Sequence, residues 1–295
     1  VFLIDGKNKK QSISSMPGVH RYSLDRLSSV IDRALRLKLP MIALFPYTNK
    51  KNKDIFGTEA LNEDNLVCKA LQLIKKKYQS EIGIMCDVAL DPYTSHGHDG
   101  VIIKNKIEND ETIKILVKQA LLQARMGCDL IAPSDMMDGR IGLIRNALDQ
   151  NGFKDVGILS YAVKFASSFY GPFRDAVGSK LNLKSDKKTY QMDYRNSIEI
   201  FREVGLDIKE GADMILVKPG MMYLDIINEL KKSFKIPVLA YQVSGEYSLI
   251  RNAIDAKILS EESIFESIIS LKRAGACAVI TYFAVDIAKK IYSTS

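Results

Sequence analysis

A chain of 295 residues, 46% hydrophobic and 26% charged, has globular composition and the length of one large α/β barrel or two ordinary domains. Its net charge of +7 comes mainly from lysine, but patches such as Lys50-Lys51, Lys75 to Lys77 and Lys187-Lys188 are short and lack the interleaved aromatics of a nucleic-acid surface. No apolar run is long enough to cross a membrane, no secretory signal opens the chain, and four scattered cysteines without a Cys-x-x-Cys pair point to a reducing, cytoplasmic compartment.

Phe2-Leu-Ile4 reads as a short strand, and Ser14 to Val19 is turn chemistry. Ser23 is placed to cap a helix with Leu24, Leu27, Val30, Ile31, Ala34 and Leu35 on one face. Met41 to Pro46 is a buried strand. A polar loop follows, then a helix from Asp64 to Tyr78. Ile82 to Val88 is the third strand and ends in the long loop Asp91 to Gly100. A helix over Glu111 to Met126 leads to strand four, Cys128 to Ala132, and Pro133 to Arg140 begins the next helix. Val156 to Lys164 is strand five. Residues 165–191 contain Gly171-Pro172 and read as an active-site lid. An amphipathic helix from Tyr194 to Glu210, stopped by Gly211, precedes strand six, Ala212 to Pro219. A helix over 223–234, strand seven from Pro237 to Ser244, helices over 247–256 and 261–273, strand eight from Cys277 to Phe283 and a last helix complete the chain.

Eight strands thus alternate with helices, and most are continuous apolar runs, as strands covered on both faces must be. The pattern predicts a single (β/α)8 TIM barrel over residues 1–295. An open doubly wound sheet is the rival, and the absence of a Gly-x-Gly-x-x-Gly turn after the first strand counts against it.

Active sites of a barrel lie at the C-terminal ends of its strands. This chain places Asp87, Lys164, Lys218, Tyr241, Ser244 and Tyr282 there. Burial lowers the pKa of a lysine, and two lysines in one pocket lower one another further. The neutral amine is a nucleophile that forms Schiff bases with ketones. Taken singly, each lysine reads more simply as a strand-end residue whose head reaches water. The convergence of five polar strand ends favours a site.

The local sequences also carry a resemblance. Ser160-Tyr-Ala-Val-Lys-Phe-Ala-Ser-Ser-Phe-Tyr-Gly-Pro-Phe-Arg-Asp175 and Val217-Lys-Pro-Gly-Met-Met-Tyr-Leu-Asp225 resemble the two lysine motifs of the porphobilinogen synthase family, also called 5-aminolevulinate dehydratases. Ser15 to Val19, Asp87 to Gly100, Ala132 to Arg140, Tyr241 to Tyr247 and Arg273 to Ala276 look like further parts of that pattern, which covers essentially the whole chain. The resemblance implies a cytoplasmic hydro-lyase that condenses two 5-aminolevulinate molecules into porphobilinogen with loss of two waters, early in haem and tetrapyrrole synthesis. Lys218 would bind the P-site substrate as a Schiff base and Lys164 the A-site one, with Asp87 completing the catalytic set.

By the same resemblance, Arg174, Lys187 and Gln191 match positions that bind one substrate carboxylate. Lys187 stands where arginine is frequent and trades bidentate geometry for a point charge. Its competing description is a solvated loop charge beside Lys184 and Lys188. Ser244 and Tyr282 match positions that hold the other carboxylate, and Tyr241 joins the substrate-binding set. The zinc-dependent branch of the family carries three cysteines after strand three. Here Ala89, Asp91 and Asp99 stand in their place, a poor zinc set even with His96 and His98 nearby. The chain therefore resembles the branch without catalytic Zn²⁺, with Asp91 and Asp99 left to bind a hard cation weakly or to orient substrate.

An activating, allosteric Mg²⁺ is implied at Glu203, with Asp135 and Arg140 in its outer sphere; a solvated helix residue is the equal alternative for Glu203. Family members carry an N-terminal arm that supports a homo-octamer. This sequence begins at the first strand, with Val1 in place of Met, so the arm is expected to be missing from it and the assembly stays open. Two other functions fit parts of the pattern. A Schiff-base aldolase on the same barrel needs only one such lysine, and a basic RNA-binding protein leaves the strand-end polar set unexplained.

Overall fold

The computed structural model describes residues 1–178 and 186–292. Its strands are β1 (Phe2–Ile4), β2 (Lys10–Ser12), β3 (His20–Tyr22), β4 (Met41–Tyr47), β5 (Gly83–Val88), β6 (Val101–Ile103), β7 (Lys106–Glu108), β8 (Leu130–Pro133), β9 (Gly157–Lys164), β10 (Met214–Lys218), β11 (Val238–Tyr241) and β12 (Ala278–Ile280). The helices are α1 (Leu24–Arg36), α2 (Leu66–Tyr78), α3 (Asn109–Arg125), α4 (Arg140–Gln150), α5 (Gly171–Ala176), α6 (Ile198–Lys209), α7 (Leu224–Ser233), α8 (Ser244–Asp255), α9 (Glu262–Ala274) and α10 (Ala284–Tyr292).

Eight strands, β1, β4, β5, β8, β9, β10, β11 and β12, lie parallel in that spatial order. They coincide with the eight read from the sequence. Phe2, Phe45, Met85, Leu130, Leu159, Leu216, Leu239 and Ile280, one or more from every parallel strand, meet in a single cluster. Their neighbours along the strands, such as Leu44, Ile84, Ile131, Ile215 and Val238, face the helices instead. Each strand is therefore apolar on both faces, which explains the continuous hydrophobic runs. One cluster fed by eight parallel strands is the packed interior of a (β/α)8 barrel. Between β12 and β1 no ladder pairing occurs among the described residues. Side chains close the seam, with the Phe2 and Tyr282 rings stacked 6.0 Å apart. The other edge of β1 pairs with β3, which forms a hairpin with β2 around the Ser14 to Val19 turn.

The differences from the sequence pattern have local causes. The β2–β3 and β6–β7 hairpins have no signal in the sequence, because three-residue strands carry too little periodicity. Helix α4 starts at Arg140 rather than Pro133, since Met136 (φ 70°) and Gly139 (φ 76°) are left-handed. Helix α6 starts at Ile198 rather than Tyr194. Asp193 and Asn196 accept the amides of Arg195 and Ile198 through their side chains and make turns instead. Within the lid segment, α5 is helical; Lys184 and the rest of 179–185 lie outside the described residues.

Candidate active site

The two lysines reach the barrel interior by different routes. On β10, Met214, Leu216 and Lys218 share one face, so simple alternation turns Lys218 inward. On β9 the inward residues are Leu159 and Tyr161, and alternation alone would send Lys164 outward. The register prevents this. Ser160 pairs with Ile215 but Val163 pairs with Val217, so β9 carries one extra residue. That bulge puts Ala162 and Val163 on the helix side and brings Lys164 level with Lys218, its partner across the ladder. Asp87 follows Met85 on the inward face of β5, and Tyr241 follows Leu239 on β11.

Lys218 is 7% exposed and its Nζ lies over four rings: Tyr241 at 4.8 Å, Tyr161 at 5.1 Å, Tyr170 at 5.2 Å and Phe173 at 5.3 Å. Ring faces attract an ammonium, but they do not replace the water it loses. Burial, with the Lys164 charge added, pulls the Lys218 pKa down to about 7, against the opposing pull of Asp87, Asp91 and Asp99. Lys164 is 4% exposed; its Nζ donates to the Ser134 carbonyl and lies 3.8 Å from Asp99 Oδ1. Asp87 is half-buried, with an Oδ1 sequestered from water and without a hydrogen-bond partner. Burial and then the Asp91 charge push its pKa up to about 6, so both of its protonation states are populated near neutrality.

Lys187 is not solvated. It is 7% exposed and its Nζ stands 2.9 Å from Asp99 Oδ2 and 3.4 Å from Asp91 Oδ2. Burial opposes the charge on Asp99, yet Lys164 and Lys187 outweigh it and hold the carboxyl well below the usual range. Asp91 is shifted the other way, chiefly by its own burial. The zinc set fails here on chemistry. Ala89 has no donor atom, and Asp91 and Asp99 already share an ammonium as their cation. Nearby, Tyr190 Oη contacts His98 Nδ1 at 3.1 Å and accepts the Asp99 amide at 3.3 Å. Gln191 is buried, its Oε1 unpartnered among the described residues.

The remaining predicted residues gather at the same mouth. Ser244 is the first residue of α8. Its Oγ accepts the Phe173 amide at 2.9 Å and lies 3.4 Å from the Phe169 carbonyl, tying α8 to α5 and the turn before it. Tyr241 Oη and Tyr282 Oη are 3.0 Å apart, and Tyr282 is half-buried. Arg174 is half-buried on α5, beside Phe173.

Glu203 and Asp135 border this group: Asp135 follows Ser134, whose carbonyl accepts from Lys164 Nζ. Glu203 is half-buried on α6, on a cleft of about 850 Å³ that extends past Asp138, Asp186 and Glu199 to His98 and Gln191. Burial, then Asp138 and Asp207, raise its pKa. Among the described residues no three His, Cys, Asp or Glu side chains form a metal cage. One carboxylate in a field of surplus negative charge still suits a cation that keeps most of its waters. Asp135 is fully buried, bound by the Met137 amide at 2.7 Å and by Arg140, whose Nε is 3.4 Å away. Arg140 also lies 3.6 Å from Asp207 and contacts Ser160 Oγ on β9.

The rings of Tyr161, Tyr170 and Phe173 around Lys218 were not singled out from the sequence, although Tyr161 shares the inward face of Leu159 and alternation would have found it. Lys53, next to the short Lys50-Lys51 patch, is not a surface charge: its Nζ is buried without a hydrogen-bond partner among the described residues. Burial lowers its pKa against the pull of Asp91. The loop it sits on has no periodic signal.

Known proteins share this sequence and fold. The family model described as delta-aminolevulinic acid dehydratase matches residues 1–290. A delta-aminolevulinic acid dehydratase of Bradyrhizobium diazoefficiens is 56% identical over 99% of this chain and 82% of its own length. One from Methanothermus sociabilis is 49% identical over 99% and 89%. A solved delta-aminolevulinic acid dehydratase (porphobilinogen synthase) from Toxoplasma gondii ME49, in complex with the reaction product porphobilinogen, has a TM-score of 0.96 at 44% identity, covering 98% of this chain and 83% of that one. Family model, sequence relatives and solved structure converge, and the chain belongs to the delta-aminolevulinic acid dehydratase family.

Proposed function

We propose that Lys218 and Lys164 act as paired imine-forming amines in the porphobilinogen synthase reaction, the condensation of two 5-aminolevulinate molecules into porphobilinogen with release of two waters. The observation that carries this is the pair itself: two buried lysines level across one ladder, one with its pKa lowered to about 7. Each amine attacks a substrate ketone, and the oxygen leaves as water when the imine forms. Two imines account for both waters, and both lysines leave as free amines when the new C–C and C–N bonds form. The Asp87 carboxyl, near its own pKa, holds the proton moved at each step. Lys218 serves the P-site substrate and Lys164 the A-site one. Ser244, Tyr282 and Tyr241 face one carboxylate. Arg174, Lys187 and Gln191 serve the other, with Lys187 shared between Asp91, Asp99 and the incoming anion. Porphobilinogen formation from 5-aminolevulinate by the purified protein tests this directly, and folded protein without turnover under any metal condition would refute it.

The family is metal-dependent in general. For this chain the proposal is an allosteric Mg²⁺ at Glu203, with Asp135 and Arg140 in its outer sphere, and no catalytic Zn²⁺. A hydrated dication there would offset the negative charge of Glu203 and Asp138, while Asp207 already faces Arg140. EDTA is expected to lower activity without unfolding the protein, Mg²⁺ to restore it, and Glu203→Ala to remove that response. Restoration by Zn²⁺ but not Mg²⁺ would reverse the assignment. No helix among the described residues is long and apolar enough to cross a membrane. The exposed α6 residues Ile198 (83% exposed) and Leu206 suit burial between copies of the chain, in keeping with a homo-octamer. A cytoplasmic location and the absence of a nucleic-acid partner belong to the same proposal.

A further inference from the structure

Glu246 is fully buried at the third position of α8. Its Oε2 accepts the Val243 amide at 2.7 Å, and its Oε1 accepts the Met221 amide at 2.7 Å. The first bond caps α8, whose first residue is Ser244. The second crosses to the loop that leaves β10 directly after Lys218. One carboxylate thus ties together the ends of two neighbouring barrel strands. A third segment joins them, because Ser244 Oγ accepts the Phe173 amide of the lid helix.

The backbone is shaped for this convergence. A Cβ at Gly220 would lie 3.1 Å from the Tyr241 carbonyl oxygen. A Cβ at Gly245 would lie 2.5 Å from that of Phe169. Both glycines let main chains meet where a side chain would hold them apart.

Keeping a carboxylate here is costly. Burial pushes its pKa up to about 7, and the groups that pull it back are the amides of Val243, Met221, Gly220 and Met222 rather than a cation. A glutamine would have the same shape but only one acceptor oxygen. Its NH₂ would face an amide N–H, donor against donor. The site needs two acceptors, and only the carboxylate supplies both.

We propose that Glu246 is a positioning residue for the reaction, setting the Lys218 loop and the Ser244 helix start relative to one another through its two oxygens. This rests on the roles given above to Lys218 and Ser244. A merely structural residue would change the melting temperature and leave chemistry untouched in the folded protein. A positioning residue changes substrate capture at temperatures where the fold is intact.

The test compares wild type, Glu246→Gln and Glu246→Asp, each well below its own melting temperature. It measures kcat, KM and the rate at which borohydride fixes 5-aminolevulinate on Lys218. Aspartate keeps two acceptors but withdraws them by one methylene, and it decides the matter if the glutamine variant does not fold. The expected result is a kcat lower by roughly 10- to 100-fold with slower capture at Lys218, the scale of an ångström-sized misplacement. A folded variant with wild-type capture and kcat overturns the role of Glu246. Wild type that fixes no substrate on Lys218 overturns the underlying assignment as well, so the two failures are told apart.

Discussion

Replacing Lys218 by alanine will remove porphobilinogen formation, with a fall in kcat on the order of 10⁴- to 10⁶-fold, the scale seen when a covalent nucleophile is deleted. Among the described residues, none of the groups in contact with the Lys218 amine can take over. Lys164 holds the Ser134 carbonyl and faces Asp99, and the rings of Tyr161, Tyr170, Phe173 and Tyr241 offer no second amine. The fold should survive, because the substitution removes a poorly solvated amine from a mostly apolar cage. Lys164→Ala should also be inactive while leaving Asp99 paired to Lys187. A Lys218→Ala protein with full turnover would end the two-amine account; one that is inactive because it is unfolded would show as lost cooperative melting.

Replacing Arg140 by methionine should cost about 3–5 kcal/mol of stability at neutral pH, the range for stranding a buried charge. Arg140 is enclosed between Asp135 and Asp207, both buried, and it touches Ser160 on the strand that ends in Lys164. Burial already raises the Asp135 pKa to about 6 even with Arg140 opposing it. Without the guanidinium that pKa rises further above its unfolded value. A carboxyl raised in this way favours the folded state while protonated and loses that stability as pH rises through the folded pKa. The deficit relative to wild type should therefore be largest above about pH 6 and shrink in mild acid. Denaturant melts of both proteins across pH measure this. A deficit below about 1 kcal/mol at neutral pH would show that the buried carboxylates do not depend on Arg140.

The strand count was legible because barrel strands are buried on both faces and announce themselves as apolar runs. Lys218 was legible too, since its inward direction follows from alternation with Leu216 and Met214. Lys164 was legible as a strand-end lysine, but its inward direction was not, since that depends on a bulge between Ser160 and Val163. Lys187 stands among other loop lysines, and only the fold brings it against Asp91 and Asp99. Glu246 was hidden for another reason. The capping signature expects a hydroxyl three residues earlier, but that position is Val243, so the carboxylate satisfies one half of the motif and sends its other oxygen across to Met221. The turn at Met136 and Gly139 that delays α4 needs left-handed backbone at a methionine, for which the sequence gives no cue.

With its pKa lowered to about 7, Lys218 in the barrel mouth is about half uncharged near neutral pH, where an ordinary lysine is almost wholly charged. Borohydride fixation of 5-aminolevulinate between about pH 5 and 10, with the modified peptide identified by mass, tests this most directly. As pH rises the ammonium loses its proton and the free amine appears, so capture should rise with pH. The label is expected on Lys218, with half-maximal capture near the lowered pKa of about 7 rather than the ordinary 10.5. A label on another residue, or capture that keeps climbing to the ordinary lysine range, would contradict it.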